Sequence, residues 1–206
     1  GRPPPNSAQI RKFGQKEIRY DFNNYGFRCE DIEEKTDEHF SVVTLGCSVA
    51  SGHGLNVEDR FSDILCKKIQ NVVTHKKVKN YNIAMPGHSN DYIARALYKS
   101  LHTIDPDLIV ILFTFRNRYE WINEAGMPNQ YSPDDKHLLE LFNDNFLMYM
   151  FFKNILIIDL LCAMGKKPFI SGSLDPLIHE VLVNSDYYVG YLERDNLAFD
   201  GEHPGI

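Results

Sequence analysis

The chain has 206 residues, 43% of them hydrophobic and 24% charged, with a formal net charge of −6. That length and balance fit one soluble domain with a sizeable core. The acidic excess argues against nucleic acid or an anionic membrane as the main partner, because both require a basic face. The four cysteines, Cys29, Cys47, Cys66 and Cys162, are spaced too widely for a zinc or CxxC site. Cys66 and Cys162 fall in apolar helical patterns and read as reduced core thiols, which suits a reducing, cytoplasmic setting.

Taken in chain order, GRPPPNSAQ has no apolar segment and is not a signal peptide. Residues 1–19 are expected to form a flexible, poorly packed segment, and 20–206 a single domain. YDFNNYGFRCED, Tyr20 to Asp31, reads as an irregular entry segment with a turn at Asn23-Asn24. FSVVTLG, Phe40 to Gly46, reads as a strand. Val57 to Gln70 has apolar residues at helical spacing and a charged opposite face. Val78 to Ala84 reads as a second strand ending at Pro86-Gly87. Asn90 to His102 is a second amphipathic helix with Ser89 or Asn90 as N-cap.

DLIVILFTF, Asp107 to Phe115, is a near-continuous apolar run, the signature of a strand buried on both faces. A polar and aromatic loop follows, 116–134. Asp135 to Met164 is a long helical pattern. Its most hydrophobic part, Phe146 to Ala163, contains Lys153, Asn154 and Asp159, which favours a buried helix over a membrane span. Lys167 to Ser171 reads as a fourth strand, and the remainder as loop and short helix.

Alternating strands and helices imply a parallel sheet covered by helices on both faces, an α/β/α sandwich. Ligands of such sheets bind at the carboxyl ends of the strands. Those ends carry Gly46-Cys47-Ser48, then Met85-Pro86-Gly87, then Thr114 to Asn117, then Ser171 to Ser173. Ser48, flanked by small residues on a strand-to-helix turn, suits a nucleophile whose own N–H helps bind an oxyanion. Taken alone, the same residues read more readily as a turn with a helix cap. Asp200 and His203, in FDGEHPG, offer a base and a carboxylate to orient it. Asp175 and His179 form a second such pair, but Asp175-Pro176 reads as a helix start. Gly87 presents a backbone N–H that no side chain screens.

The ordered set resembles the SGNH, or GDSL-like, hydrolase family. The first block is Gly46 to Gly52, the second Asn82 to Gly87, and the last Asp200-Gly201-Glu202-His203-Pro204. The resemblance spans about Tyr20 to Ile206 and implies a flavodoxin-like sheet. It implies Ser48 as nucleophile, His203 as base and Asp200 as its orienter. It also implies an oxyanion hole of the Ser48 N–H, the Gly87 N–H and an asparagine side chain, with no metal or other cofactor. Two departures stand out. Cys47 precedes the serine where the family has Asp, and the third block is Thr114-Phe115-Arg116-Asn117. Asn117 supplies the third donor if a residue bulges there; otherwise the third donor is missing or comes from Arg116.

Tyr119 and Trp121 would overhang the strand ends and are candidates for substrate binding. The reaction implied is cleavage of a small acyl ester or an acylated sugar or lipid. Transfer to an alcohol by the same triad, and a non-catalytic glycan- or protein-binding domain, are the alternatives. A doubly wound domain usually adds a final helix after the last block. Without one, an apolar sheet face would favour association with another domain or chain.

Overall fold

In the computed structural model, residues 2–130 and 143–192 are described. The central sheet has five parallel strands. They are β3 (His39–Leu45), β4 (Lys77–Asn82), β5 (Leu108–Phe113), β8 (Phe169–Ser173) and β9 (Tyr188–Tyr191). Their spatial order is β4-β3-β5-β8-β9. This is the flavodoxin-like order: the chain moves outward from β3 to β4, then reverses and continues on the other side through β5. The expected α/β/α class therefore holds.

The β-branched runs explain the strands. Val43 and Leu45 point to one face with Ile109, Ile111 and Phe113, while Val42 and Val110 point to the other, all buried. On the first face lie α3 (Asn90–Thr103), α4 (Asp144–Gly165) and α5 (Pro176–Leu182). On the second lies α2 (Phe61–Gln70), with Cys66 buried and Leu65 and Ile69 packed against Val42 and Val110. Beside α2, a 370 Å³ groove lined by Leu65, Val110, Ile170 and Val189 runs over β5, β8 and β9.

The Val57–Gln70 helix divides into a 3-10 turn, Val57–Asp59, and α2. Arg60 between them is extended, and its carbonyl accepts from Asp63 N and Ile64 N, both at 3.0 Å. Ser89 caps α3 as expected, accepting from Tyr92 N. Of the predicted helix from Asp135, α4 is the described part; 135–142 lie outside the described residues. By length and composition α4 could cross a membrane. It packs Phe151, Ile155, Ile158 and Cys162 into the core but leaves Phe152, Leu156 and Leu160 exposed, so it is buried along one face only.

Three features were not expected. β1 (Ala8–Phe13) and β2 (Lys16–Asp21) form an antiparallel hairpin whose Ile18 and Tyr20 are buried with Phe22. β6 (Glu120–Ile122) and β7 (Pro128–Gln130) form a second hairpin inside the expected loop. β9 extends the sheet after α5.

Candidate active site

The chain reverses its direction of winding between β3 and β5, so the crevice of the sheet opens at the carboxyl ends of these strands. Ser48 lies there, as the first residue of α1 (Ser48–Ser51), directly after β3. The turn is tight. A side chain at Gly46 would strike Ala50 and stand 3.0 Å from the Leu112 carbonyl oxygen of β5. The Ser48 carbonyl accepts from His53 N at 3.0 Å and Ser51 Oγ at 2.8 Å, which closes α1 on itself. Ser48 is 8% exposed, and Cys47 is 1% exposed. Cys47 packs with Ala50, Ala84, Leu112 and Leu174, although Ser48 Oγ lies 4.0 Å from its sulfur.

Gly87 enters from the neighbouring strand. The ladder between β3 and β4 continues past their ends, with Met85 N donating to Gly46 O at 3.1 Å. The Ser48 turn and the Met85 to His88 turn therefore start side by side. Gly87 is exposed, at φ +78°, with open space where a Cβ would stand. The neighbouring His88 ring stacks edge-on to Tyr92, and burial lowers its pKa, so it is neutral at pH 7.

The third strand end is held by other means. Asn90 Nδ2 donates to Thr114 O at 3.1 Å, and Thr114 N donates to Asn90 Oδ1 at 3.0 Å. Arg116 Nη1 donates to both Asp175 oxygens, at 2.9 and 3.0 Å, and Arg116 N donates to Asp175 Oδ2 at 3.1 Å. Asp175 also accepts from Leu177 N, so it is the N-cap of α5, as its Asp-Pro sequence suggests. His179 turns instead to the Tyr188 hydroxyl, 3.2 Å away. Asn117 is exposed and lines a 250 Å³ cleft with Arg116, Asp144 and Asp175. Tyr119 is buried against Leu147 and Phe146, a packing position, whereas Trp121 is 43% exposed on β6. Asp200 and His203 lie outside the described residues.

Comparison with protein-family models and with curated protein sequences finds no match. Among solved structures the chain is similar to a psychrotrophic esterase, EstA, of Pseudoalteromonas sp. The identity is 12% and the TM-score 0.49, over 81% of this chain and 88% of that one. It is also similar to the acetylxylan esterase Axe2 of Geobacillus stearothermophilus, in a catalytic mutant, at 11% identity and TM-score 0.39, over 84% and 89%. A third similarity is to TesA, at 12% identity and TM-score 0.36, over 80% and 89%.

Around the serine turn is a scaffold that sequence reasoning missed. Asn82, at the end of β4, donates to Ala50 O at 2.7 Å and to Ser62 Oγ at 3.0 Å. Arg60, 1% exposed, donates through Nη1 to Arg28 O at 2.6 Å and through Nε to Asp63 at 2.7 Å. Arg28 Nη1 donates to Gly52 O and its Nη2 to Leu55 O, each at 2.8 Å. Its guanidinium stacks 3.7 Å over Tyr20, whose hydroxyl accepts from Gly54 N. Burial first, and the nearby Arg60 charge second, lower the Arg28 pKa to about 10. Arg28 and Tyr20 thus fix the loop leaving α1, and the β1–β2 hairpin is part of the site's frame. No group of three or more His, Cys, Asp or Glu residues that could hold a metal occurs among the described residues.

Proposed function

We propose that this protein is a serine hydrolase of the SGNH type that cleaves a small carboxylic ester. The observation that carries the reading is the place of Ser48, on a tight strand-to-helix turn where the parallel sheet reverses its winding. The order of motifs in the sequence supports it. Ser48 Oγ attacks the carbonyl carbon while His203 takes the hydroxyl proton. The tetrahedral oxyanion is received by the N–H groups of Ser48 and Gly87. The intermediate collapses, the C–O bond to the alcohol breaks, and His203 returns the proton to the leaving alkoxide. Water then repeats the sequence on the acyl-enzyme, releasing the acid. Asp200 holds the imidazole in the right tautomer and stabilises its charged form.

The third donor is the weak point of the hole. Arg116 Nη1 is committed to Asp175, and Asn117 is exposed. A hole short of one donor is slower by about 10²–10³. This supports a second reading, a domain that keeps the fold and binds a glycan or protein without chemistry; transfer of the acyl group to an alcohol uses the same triad and the same hole. Hydrolysis of short p-nitrophenyl esters, with Ser48→Ala and His203→Ala alongside, tests the assignment. Loss of activity in both is the expected result, and activity that survives Ser48→Ala overturns it. Fluorophosphonate labelling of Ser48 separates an activated serine, which reacts, from a binding domain, which does not.

A further inference from the structure

A second cavity, of 250 Å³, lies between α3 and the entry segment. Its apolar surface comes from Phe27, Ile32, Ile83, Tyr92 and Ile104. Its polar lining is unbalanced. Arg2, Arg95 and Lys99 contribute cations, and among the described residues no carboxylate lines it. The α3 residues follow from helical spacing: positions 92, 95, 96, 99, 100 and 103 form one stripe.

The neutral polar groups of this wall are already used. The Tyr92 hydroxyl donates to Ile83 O at 2.7 Å, Ser100 Oγ to Leu97 O at 2.9 Å and Thr103 Oγ1 to Lys99 O at 3.0 Å. The Tyr92 phenol stays protonated, since burial drives its pKa far up. Of the three cations, Arg95 is paired with Glu120 at 2.8 Å, which leaves Arg2 and Lys99; Glu33 pairs with Lys79, and Asp31 accepts from Asn24 N. What remains for a ligand is an apolar floor and a cationic rim.

We infer that this cavity binds a small apolar carboxylate, such as a short fatty acid. The apolar body covers Ile83 and Ile104, and the carboxylate meets the rim at Lys99 and at Arg2, whose guanidinium lies 4.3 Å over the Phe27 ring. The volume lies just below the roughly 300–1,000 Å³ of most ligand sites, so the ligand is small. A bare phosphate would leave the apolar floor unused, and a neutral alcohol would leave the cations unmatched. The site shares only Phe27 with a separate 140 Å³ cavity at the end of β4, lined by Ser51, Met85, Pro86 and His88, so the inference stands or falls independently of Ser48.

Isothermal titration of the full chain with octanoate tests it, with octanol and inorganic phosphate as controls. Lys99→Glu reverses a rim charge at an exposed position, and Ala96→Leu fills the cavity from α3. The expected result is octanoate binding that exceeds both controls and weakens on the order of tenfold or more in each variant. Circular dichroism confirms that both variants fold. Equal binding of octanol and octanoate overturns the inference. So does binding unchanged in both folded variants, which would place the fatty acid elsewhere, or no octanoate binding at all.

Discussion

Asn90 and Thr114 pair as two backbones would: one side-chain amide serves both the N–H and the C=O of a residue on another element. The pair locks the first turn of α3 to the end of β5 and sets where Phe115, Arg116 and Asn117 emerge. Asn90→Ala would leave two buried backbone groups unpaired, at a cost of about 1–3 kcal/mol each. Asn90→Asp keeps the acceptor but sets a carboxylate against the Thr114 carbonyl. Urea denaturation should show both variants destabilised, and ester hydrolysis should fall beyond what the unfolded fraction explains. Wild-type stability in Asn90→Ala would show that the pair braces nothing.

Cys47 and Ser48 are adjacent and differ in role. The Cys47 side chain is packed among Ala50, Ala84, Leu112 and Leu174. Cys47→Ala should cost about 1 kcal/mol or less and leave ester hydrolysis within a few-fold of wild type. Ser48→Ala should abolish it. Burial pushes the Cys66 and Cys162 thiols up to about 12, so they stay protonated and unreactive at pH 8. Burial likewise pushes Cys29 up to about 12, and Cys47 is 1% exposed, so iodoacetamide at that pH should spare the activity. Loss of hydrolysis in Cys47→Ala, with activity retained in Ser48→Ala, would transfer the nucleophile to the thiol.

Gly52 ends α1 in the left-handed region, at φ +69°, and a Cβ there would collide with Arg60 Cγ and Cδ. The Arg60 stem covers the turn while its guanidinium holds Arg28 O and Asp63. Gly52→Ala adds a strained φ and an overlap, and should cost about 1–3 kcal/mol. Arg60→Met keeps the stem but removes the donors to Arg28 O and to the partly exposed Asp63, which keeps Ser62 Oγ, and should cost about 1–3 kcal/mol. Both should lower kcat more than KM changes, because they move the serine turn rather than a pocket wall. Denaturation curves and initial rates on the same preparations check this.

How far the sequence could be read depends on where each partner lies. β3 and β5 were legible because parallel strands buried on both faces leave near-continuous apolar runs, such as LIVILF in β5, whereas β4, KVKNYN, and β8, FISGS, carry only short apolar stretches. The Ser89 and Asp175 caps were legible because their partners lie two or three residues away. β1 was not, since its residues are largely exposed and follow a proline run. β9 is short and contains Gly190, which weakens any strand pattern. Arg28 and Arg60 carry no local signal of their role. Their acceptors include carbonyls 24 to 32 residues away, which no local spacing encodes. The glycine-flanked Ser48 was visible locally, whereas the frame that holds its turn depends on contacts distant in the chain.

Asp159 on α4 is the clearest case of a group that works against the fold at neutral pH. Its Oδ2 receives the Tyr187 hydroxyl at 3.4 Å, while Oδ1 is buried with no partner among the described residues. Burial therefore raises its pKa above the ordinary carboxylate value. In the pH range between the unfolded and folded pKa the native state binds more protons than the unfolded chain. Stability then falls as pH rises through that range, and the penalty is complete above the folded pKa. Asp159→Asn removes the charge and keeps an acceptor for Tyr187. Discounted for solvent screening of a partly exposed group, the gain at pH 7 should be a few tenths to about 1 kcal/mol. It should shrink as pH falls toward the ordinary Asp range, where wild-type Asp159 is itself protonated. Urea midpoints of both proteins at pH 7 and pH 4 decide the matter. A destabilised Asp159→Asn at pH 7 would mean that the charge has a favourable partner.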